Sequence, residues 1–96
     1  MLVGATSYNG DLSSWNVSSV VEMTCMFDGA TSYNGDLSSW NVSNVVDMNY
    51  MFAGATSFDG QLDGAWATST ADKHYMFRNS PGTIAGKTKL ANGTIE

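Results

Sequence analysis

A 25-residue internal repeat is the feature that most constrains this chain. The stretch from Gly4 to Ser18 recurs nearly letter for letter at 29–43, and Phe27, Phe52 and Phe77 keep the same spacing of 25. Repetition at a fixed period in this range is typical of arrays in which each unit packs only against its neighbours. The sequence therefore predicts an α/β solenoid of about three stacked coils near residues 1–25, 26–50 and 51–79.

A short strand is predicted in the middle of each coil. Trp15 and Val17 alternate with Ser and Asn, and the alternation recurs at Trp40 and Val42. Side chains of a strand point alternately to opposite faces, so Trp and Val should face inward and the polar residues outward. Strands are expected near Trp15, Trp40 and Trp66, paired in parallel between coils.

A short helix is predicted to follow each strand, near residues 20–27, 45–52 and 70–77. In the first of these, apolar residues recur at spacings of three and four, and Ser19 precedes Glu22 at capping-box spacing. Gly29, Gly54 and Asn79 stand at the expected helix ends, where a left-handed backbone conformation is favoured.

The apolar residues that recur at the repeat period are expected to form the core of the stack. They are Leu2–Phe27–Phe52–Phe77, Tyr8–Tyr33–Phe58, Leu12–Leu37–Leu62, Trp15–Trp40, Val20–Val45, Met23–Met48 and Met26–Met51–Met76. The sequence starts in the middle of a unit and is interpreted as a piece of a longer array. Self-association through exposed coil ends is expected, because core positions of the first coil have no preceding coil to cover them.

The third coil is irregular. Trp66 comes one position later than the period set by Trp15 and Trp40, whereas Phe77 keeps that period from Phe52. Either an extra residue bulges before Trp66, which then packs under Trp40, or Trp66 lies on the outward polar row. Residues 80–96 leave the repeat pattern and are expected to form a C-terminal cap or a flexible tail.

Charge and composition argue against several classes of function. The net charge is -5, and residues 1–72 contain no Lys or Arg. Binding to nucleic acid requires clustered cations, so no nucleic-acid partner is expected. No apolar run has the length of a membrane span, so insertion of this segment into a membrane is not expected.

No site for chemistry is predicted. Cys25 is the only cysteine and His74 the only histidine, so neither an internal disulfide nor metal-ligand spacing is available from these residue types. The serines recur at equivalent positions of the repeat, without the context of a nucleophile elbow. We expect no enzyme activity, no cofactor, no metal and no catalytic residue.

The repeat unit resembles a bacterial surface-protein repeat of similar length that is abundant in mycoplasma surface lipoproteins and related to BspA-like leucine-rich repeats. The resemblance covers residues 1–77 and rests on Trp40, Val42, Val45, Met48, Met51 and Phe52. It implies a leucine-rich-repeat-like solenoid at a cell surface or outside the cell, with roles in adhesion and antigenic variation. It implies no catalytic residues.

Two functions remain open from the sequence. One is an interaction module that binds a host or neighbour protein or a glycan; the other is a structural spacer or antigenic coat segment without a ligand. A binding surface is predicted on the outward row, which is uncharged and rich in hydrogen-bonding groups. Its residues are Ser14, Asn16, Ser18, Ser39, Asn41 and Ser43, with Trp66 as the aromatic anchor if it faces outward.

Overall fold

Regular secondary structure is sparse in the computed structural model, which describes residues 4–96. Strand β1 is Gln61–Leu62, helix α1 is Ala65–Thr68 and strand β2 is Thr83–Ile84. β1 and β2 are parallel, with Gln61 opposite Thr83. Leu2, predicted as a core residue, lies outside the described residues.

The helices predicted near 20–27, 45–52 and 70–77 are wrong. Residues 24–29, 49–54 and 74–79 form consecutive tight turns. Alternate amides are used differently here: Met26 N–H donates to the carbonyl of Met23 within its own unit, whereas Met23 N–H donates to Asp47 of the next unit. In an α-helix each N–H donates to the carbonyl four residues earlier. Because alternate N–H groups of these segments donate to the next unit instead, the segments are not α-helices.

The bonds between units, which we call rungs, repeat with the period of the sequence. The first set runs from the N–H groups of Met23, Cys25, Phe27 and Gly29 to the carbonyls of Asp47, Asn49, Met51 and Ala53, at 2.7–3.0 Å. The second set runs from Met48, Tyr50, Phe52 and Gly54 to Asp72, His74, Met76 and Arg78, also at 2.7–3.0 Å. In both sets the N–H belongs to the earlier unit and the carbonyl to the later one.

The expected left-handed positions are confirmed, although they end turns and not helices. Gly29 has φ 75°, Gly54 has φ 71° and Asn79 has φ 56°. Each is the third residue of a turn closed by a bond such as that from Ala30 N–H to the carbonyl of Phe27. A type II turn requires positive φ at this position, which Gly and Asn supply at least cost.

The predicted strands near Trp15 and Trp40 are also wrong. Each tryptophan ends a tight turn, with Trp15 N–H donating to Leu12 and Trp40 N–H to Leu37. The third tryptophan, Trp66, lies in helix α1. Its unit has one extra residue, and a single helical turn replaces the tight turn and accommodates it. The inward orientation of Val17, Val42 and Trp40 is nevertheless confirmed by their burial.

Aromatic rings from equivalent positions stack through the core. Phe27 and Phe52 lie 5.2 Å apart between ring centroids, and Phe52 and Phe77 lie 5.3 Å apart, in both cases with an interplanar angle of 3°. The rings of Tyr33 and Phe58 and those of Trp40 and Trp66 stack in the same way, at 6.2 and 6.5 Å. In these stacks and rungs, equivalent residues of successive units lie next to one another.

The Asn-Gly dipeptides of the repeat have a different role from the one their composition suggests. Neither Gly10 nor Gly35 has positive φ. A methyl group added at Gly35 would instead overlap the ring and hydroxyl of Tyr33, and one at Gly10 would overlap Tyr8. Glycine is needed here because an aromatic ring packs directly over its Cα.

Residues 80–96 cover the last unit and form what we call the capped end. Phe77 N–H donates to the carbonyl of Gly93 at 3.0 Å, and Tyr75 N–H donates to Oγ1 of Thr94 at 3.0 Å. These bonds take the place of rungs to a further unit. Ile84 and Ile95 are buried against the core, so this segment supplies both apolar cover and hydrogen-bond partners.

Two lysines complete the capped end. Lys73, which takes the position of Met48, is buried, and its Nζ donates to the carbonyls of Ser69 and Ala71 at 2.8 and 3.0 Å. Burial lowers the pKa of Lys73, and the nearby Lys87 adds to the effect. Nζ of Lys89 donates to Ser80 and Gly82 at 2.5 and 2.8 Å. Both ammonium groups therefore satisfy backbone carbonyls near the end of the stack.

Candidate functional site

The predicted polar row lies at the surface. Ser14, Asn16, Ser39, Asn41 and Ser43 are exposed, and Ser18 is half-buried. Oδ1 of Asn16 accepts hydrogen bonds from the N–H and the hydroxyl of Ser18, at 3.1 and 2.7 Å. The same two bonds join Asn41 and Ser43 at the same distances. Oδ1 of each asparagine thus accepts hydrogen bonds within a local turn. Nδ2 of each has no hydrogen-bond acceptor among residues 4–96 and is left to donate to solvent or to a ligand.

Neighbours of this row join one unit to the next. The hydroxyl of Ser39 donates to the carbonyl of Ser13 at 3.3 Å, and Nδ2 of Asn44 donates to the carbonyl of Ser18 at 2.7 Å. Asn44 and Ser13 were not among the predicted site residues. Part of the row therefore has a structural role that its composition did not reveal.

Trp66 does not lie on the polar row, and its assignment as an outward anchor is wrong. Its side chain is 0% exposed, and the indole N–H donates to the carbonyl of Leu37 at 3.0 Å. Trp40 makes the matching bond to Leu12 at 2.9 Å. Of the two positions open to Trp66, it occupies the one under Trp40, because α1 turns the indole inward.

Trp15 is exposed, although the sequence predicted it to be in the core. Its relative solvent-accessible surface is 50%. The indoles of Trp40 and Trp66 donate to carbonyls of the preceding unit, whereas the Trp15 indole N–H has no acceptor among residues 4–96. We call the surface around Trp15 and the half-buried Tyr8 the open end of the molecule.

A pair of stacked tyrosines is a second surface feature, and sequence reasoning missed it. The rings of Tyr50 and Tyr75 lie 5.1 Å apart between centroids, and both residues are only half-buried. The guanidinium carbon of Arg78 lies 5.9 Å from the centroid of the Tyr75 ring. The sequence gives no motif for this pair, since the equivalent position in the earlier unit is Cys25 and the residue type is not kept along the repeat.

The backbone at these tyrosines is unusual. Cys25, Tyr50 and Tyr75 have φ of 60°, 58° and 53°, at the third position of tight turns. Only Gly and Asn adopt this conformation readily, and other residues incur a cost on the order of 1–2 kcal/mol. Backbone preference therefore does not explain why tyrosine occupies two of these positions.

A surface depression lies beside the tyrosine pair. It is lined by Asp28, Tyr50, Ala53, Gly54, Arg78 and Asn79. The depression offers an aromatic ring, a guanidinium, a carboxylate and an amide within one small area. Groups of this kind bind sugars and polar protein surfaces, because the ring packs against apolar atoms while the charged and amide groups form directional hydrogen bonds.

Two titratable side chains with shifted pKa values are Cys25 and Asp72. Burial raises the pKa of the Cys25 thiol, and Asp28 raises it further, which disfavours the reactive thiolate. Asp72 pairs with His74, and the hydrogen bond from His74 is the main reason that the pKa of Asp72 is lowered. Residues 4–96 contain no cluster of three or more His, Cys, Asp or Glu side chains placed to hold a metal ion.

Across residues 4–96, none of the helical structure has the length and apolar character needed to traverse a bilayer.

Comparison with known proteins places the chain in a family without assigning a function. No curated protein and no solved structure matches the sequence significantly. A family model described as "Mycoplasma protein of unknown function" matches residues 1–87, which include the repeats and the first part of the C-terminal segment. The chain therefore belongs to this family, DUF285.

Proposed function

We propose that this chain is a non-catalytic interaction module, displayed at a cell surface, which binds a protein or a glycan through the Tyr50–Tyr75 pair and the adjacent depression. The supporting observation is the retention of half-buried aromatic rings where the backbone favours Gly or Asn. Resemblance of the repeat to mycoplasma surface-protein repeats supports the location. The juxtaposition of equivalent side chains from successive units supports multiple weak contacts along one surface.

The depression favours a ligand with both apolar and polar faces. Tyr50 presents part of its ring, while Arg78 and Asp28 carry opposite charges at the rim. A sugar ring or a peptide segment uses such a surface well. A polyanion does not, because the chain has a net charge of -5.

The test is a binding experiment with two matched variants. The full chain, displayed as a multimer, is applied to an array of glycans and to immobilised extracellular-matrix proteins. The double variant Tyr50→Asn/Tyr75→Asn should lose binding while keeping its melting temperature within a few degrees, because Asn tolerates positive φ. Tyr50→Phe/Tyr75→Phe keeps both rings and is the control, with binding largely retained. Unchanged binding by the asparagine variant would exclude the tyrosine site.

The polar row is the other candidate surface, and a different pair of substitutions tests it. In Asn16→Asp/Asn41→Asp the Oδ1 acceptor of each local turn is kept while the exposed amide donor is lost. Loss of binding in this variant, with the tyrosine variant unaffected, would move the binding surface to the row.

A structural spacer without a ligand is the second candidate function. It is favoured by the use of row residues and their neighbours in turns and in bonds between units. Absence of binding by the unmodified multimer to every member of both panels would favour the spacer over the interaction module.

A further inference from the structure

Two valines lie exposed next to one another on the surface of the first two units. Val21 and Val46 have relative solvent-accessible surfaces of 55% and 62%, whereas Val45, which precedes Val46 in the chain, is 4% exposed. Val46 N–H donates to the carbonyl of Val21 at 2.7 Å, so the two residues are direct neighbours between units. Single exposed apolar side chains are common, but two that adjoin form an apolar patch.

The exposure of Val46 does not depend on a missing neighbour. Besides its bond to the first unit, Val46 accepts a hydrogen bond at its carbonyl from Asp72 N–H of the third unit, at 3.0 Å. Units therefore lie on both sides of Val46, and its side chain still faces solvent. The patch thus lies along the side of the units and is not one of the ends of the molecule.

An acidic residue follows each valine in the chain. Parallel backbone bridges join Glu22 to Asp47 and Asp47 to Asp72, so the acidic residues adjoin across the units as the valines do. Glu22 and Asp72 are exposed, and Asp47 is half-buried. The one ion pair among residues 4–96 joins Asp72 to His74. Glu22 and Asp47 therefore have no basic partner in that part of the chain.

The nearest basic residue in the sequence does not neutralise these carboxylates. Residues 1–72 contain no Lys or Arg. Lys73 is buried, and its Nζ donates to the carbonyls of Ser69 and Ala71. The surface therefore combines exposed methyl groups with carboxylates that lack a counter-charge.

This combination determines the chemistry of a partner. Covering an unpaired carboxylate is costly, so the occupant must bring cations as well as apolar groups. Nucleic acids and anionic lipids carry the wrong charge, and a neutral sugar carries none. A polypeptide in which Lys or Arg lies next to apolar side chains meets both requirements.

We propose that the surface formed by Val21, Glu22, Val46 and Asp47, which we call the valine–acid face, docks a cationic segment of a partner protein. Apolar side chains of the segment cover the valine methyl groups, and its Lys or Arg side chains pair with the two carboxylates. Exposed ion pairs contribute little individually, so the apolar contact supplies affinity and the charges select the partner. The valine–acid face shares no residue with the depression beside Tyr50, and the inference does not rest on the proposed function.

The probe is a short synthetic peptide of alternating Lys and Val, titrated at low salt into the full chain labelled for heteronuclear NMR. The amide signals of Val21, Glu22, Val46 and Asp47 should shift together. A peptide of alternating Lys and Ser should bind about tenfold more weakly, because the apolar contact is lost. A peptide of alternating Glu and Val should not bind, since it brings like charges to the face.

A pair of variants tests the charges. Glu22→Gln/Asp47→Asn removes both carboxylates, and Asn at position 47 keeps the Oδ1 acceptor that bonds Asn49 N–H at 2.8 Å. This variant should bind the Lys-Val peptide about fivefold more weakly, as expected for two exposed ion pairs. Asp11→Asn/Asp36→Asn is the matched control. It removes the same charge from the same two units and keeps the Oδ1 acceptor for the serine two residues later. Its affinity for the peptide should change by less than about twofold.

A further variant tests the apolar contact. Val21→Thr/Val46→Thr keeps the size and the β-branching of both side chains, so the fold should be retained. Affinity for the Lys-Val peptide should fall about tenfold, because a methyl group is replaced by a hydroxyl at each position.

Several outcomes would overturn the proposal. One is the absence of shifts at the four amides, and another is equal weakening by the two charge variants, which would mean that only net charge matters. Binding of the Lys-Ser peptide as tightly as the Lys-Val peptide would show that the valines play no part. Tyr50→Asn/Tyr75→Asn should bind the Lys-Val peptide as the natural chain does, so this proposal and the proposed function can fail separately.

Discussion

Equivalent positions of the repeat differ in burial and in backbone hydrogen bonding between the two ends of the molecule. At the capped end, residues 80–96 supply a carbonyl and a hydroxyl to Phe77 and Tyr75, and bury Ile84 and Ile95. At the open end, Trp15 is 50% exposed and the carbonyls of Glu22 and Thr24 have no backbone donor among residues 4–96. The difference shows that a repeat position has no fixed burial. Its burial is determined by whether a neighbour lies on both sides.

Truncation of the inner tryptophan should have the largest effect. Trp66→Ala removes a fully buried indole and its bond to the carbonyl of Leu37. We expect a loss of about 3–5 kcal/mol in the free energy of unfolding, as for other buried aromatic truncations. Denaturant unfolding followed by circular dichroism measures it. A loss comparable to that of a surface substitution would contradict the burial of Trp66.

Adding a methyl group at Gly93 tests how closely residues 80–96 pack against the last unit. Gly93 has φ 87°, and a Cβ there would overlap the backbone of Phe77 and Arg78. Gly93→Ala should cost at least about 2 kcal/mol, since the overlap adds to a left-handed penalty of about 1–2 kcal/mol. Thermal unfolding at several denaturant concentrations gives the value.

Gly86→Ala is the control for that substitution. Gly86 also has positive φ, 72°, but an added Cβ would meet nothing within 4 Å. It should incur the backbone penalty alone. Equal costs for the two variants would show that residues 92–94 are not pressed against the third unit.

Tyr33 offers a smaller effect of the opposite sign. It is buried, and its hydroxyl lacks a hydrogen-bond partner in the described part of the chain, whereas the equivalent residue in the next unit is Phe58. Tyr33→Phe should stabilise the fold by about 1 kcal/mol, because the cost of burying an unpaired hydroxyl is removed. Denaturant melts at neutral pH test the sign, and a destabilised variant would mean that the hydroxyl is paired.

The same residue predicts a dependence on alkaline pH. Burial raises the pKa of Tyr33 to about 12, above its ordinary value of 10. The unfolded chain therefore releases this proton first, so the stability contributed by the neutral phenol is complete below about pH 10 and is lost as pH rises towards 12. Melting temperatures across the mildly to strongly alkaline range should fall more steeply for the natural chain than for Tyr33→Phe.

The smallest effect is expected at the open end. Trp15→Ala should change the free energy of unfolding by less than about 0.5 kcal/mol, because surface substitutions away from packed features rarely do more. The same variant should lose most of the acrylamide-sensitive fluorescence, since Trp40 and Trp66 are buried. A cost close to that of Trp66→Ala would show that the two ends are equally covered.

The sequence predicted the register of the core but not its local geometry. The repeat period placed Phe27, Phe52 and Phe77 in one column, as the structure confirms. Helices were predicted because apolar spacings of three and four also occur in consecutive tight turns. The turns form in place of helices because alternate N–H groups donate to the next unit. The pattern of apolar residues within one unit contains no information about such bonds.

The candidate site was harder to predict than the core. The exposure of Asn16 and Asn41 followed from alternation, but their use as turn acceptors depended on the position of Ser18 and Ser43. The sequence left Trp66 with two possible positions, because the extra residue before it could be counted but the helical turn that accommodates it could not be foreseen. The Tyr50–Tyr75 pair had no sequence signal beyond replacing a cysteine, and its positive φ becomes visible only in three dimensions.

The alternation of amides between turns and rungs has a consequence for how this sequence tolerates insertions and deletions. Losing or gaining one residue between Met23 and Gly29 exchanges the two kinds of amide at every later position of that segment, so all the rungs after the change are lost together. The segment after Leu62 has no such parity, and it already carries one additional residue within α1. We therefore expect length variation in a protein of this design to fall outside the rung segments, as it does at the tryptophan turn of the third unit, and the rung segments to change by substitution.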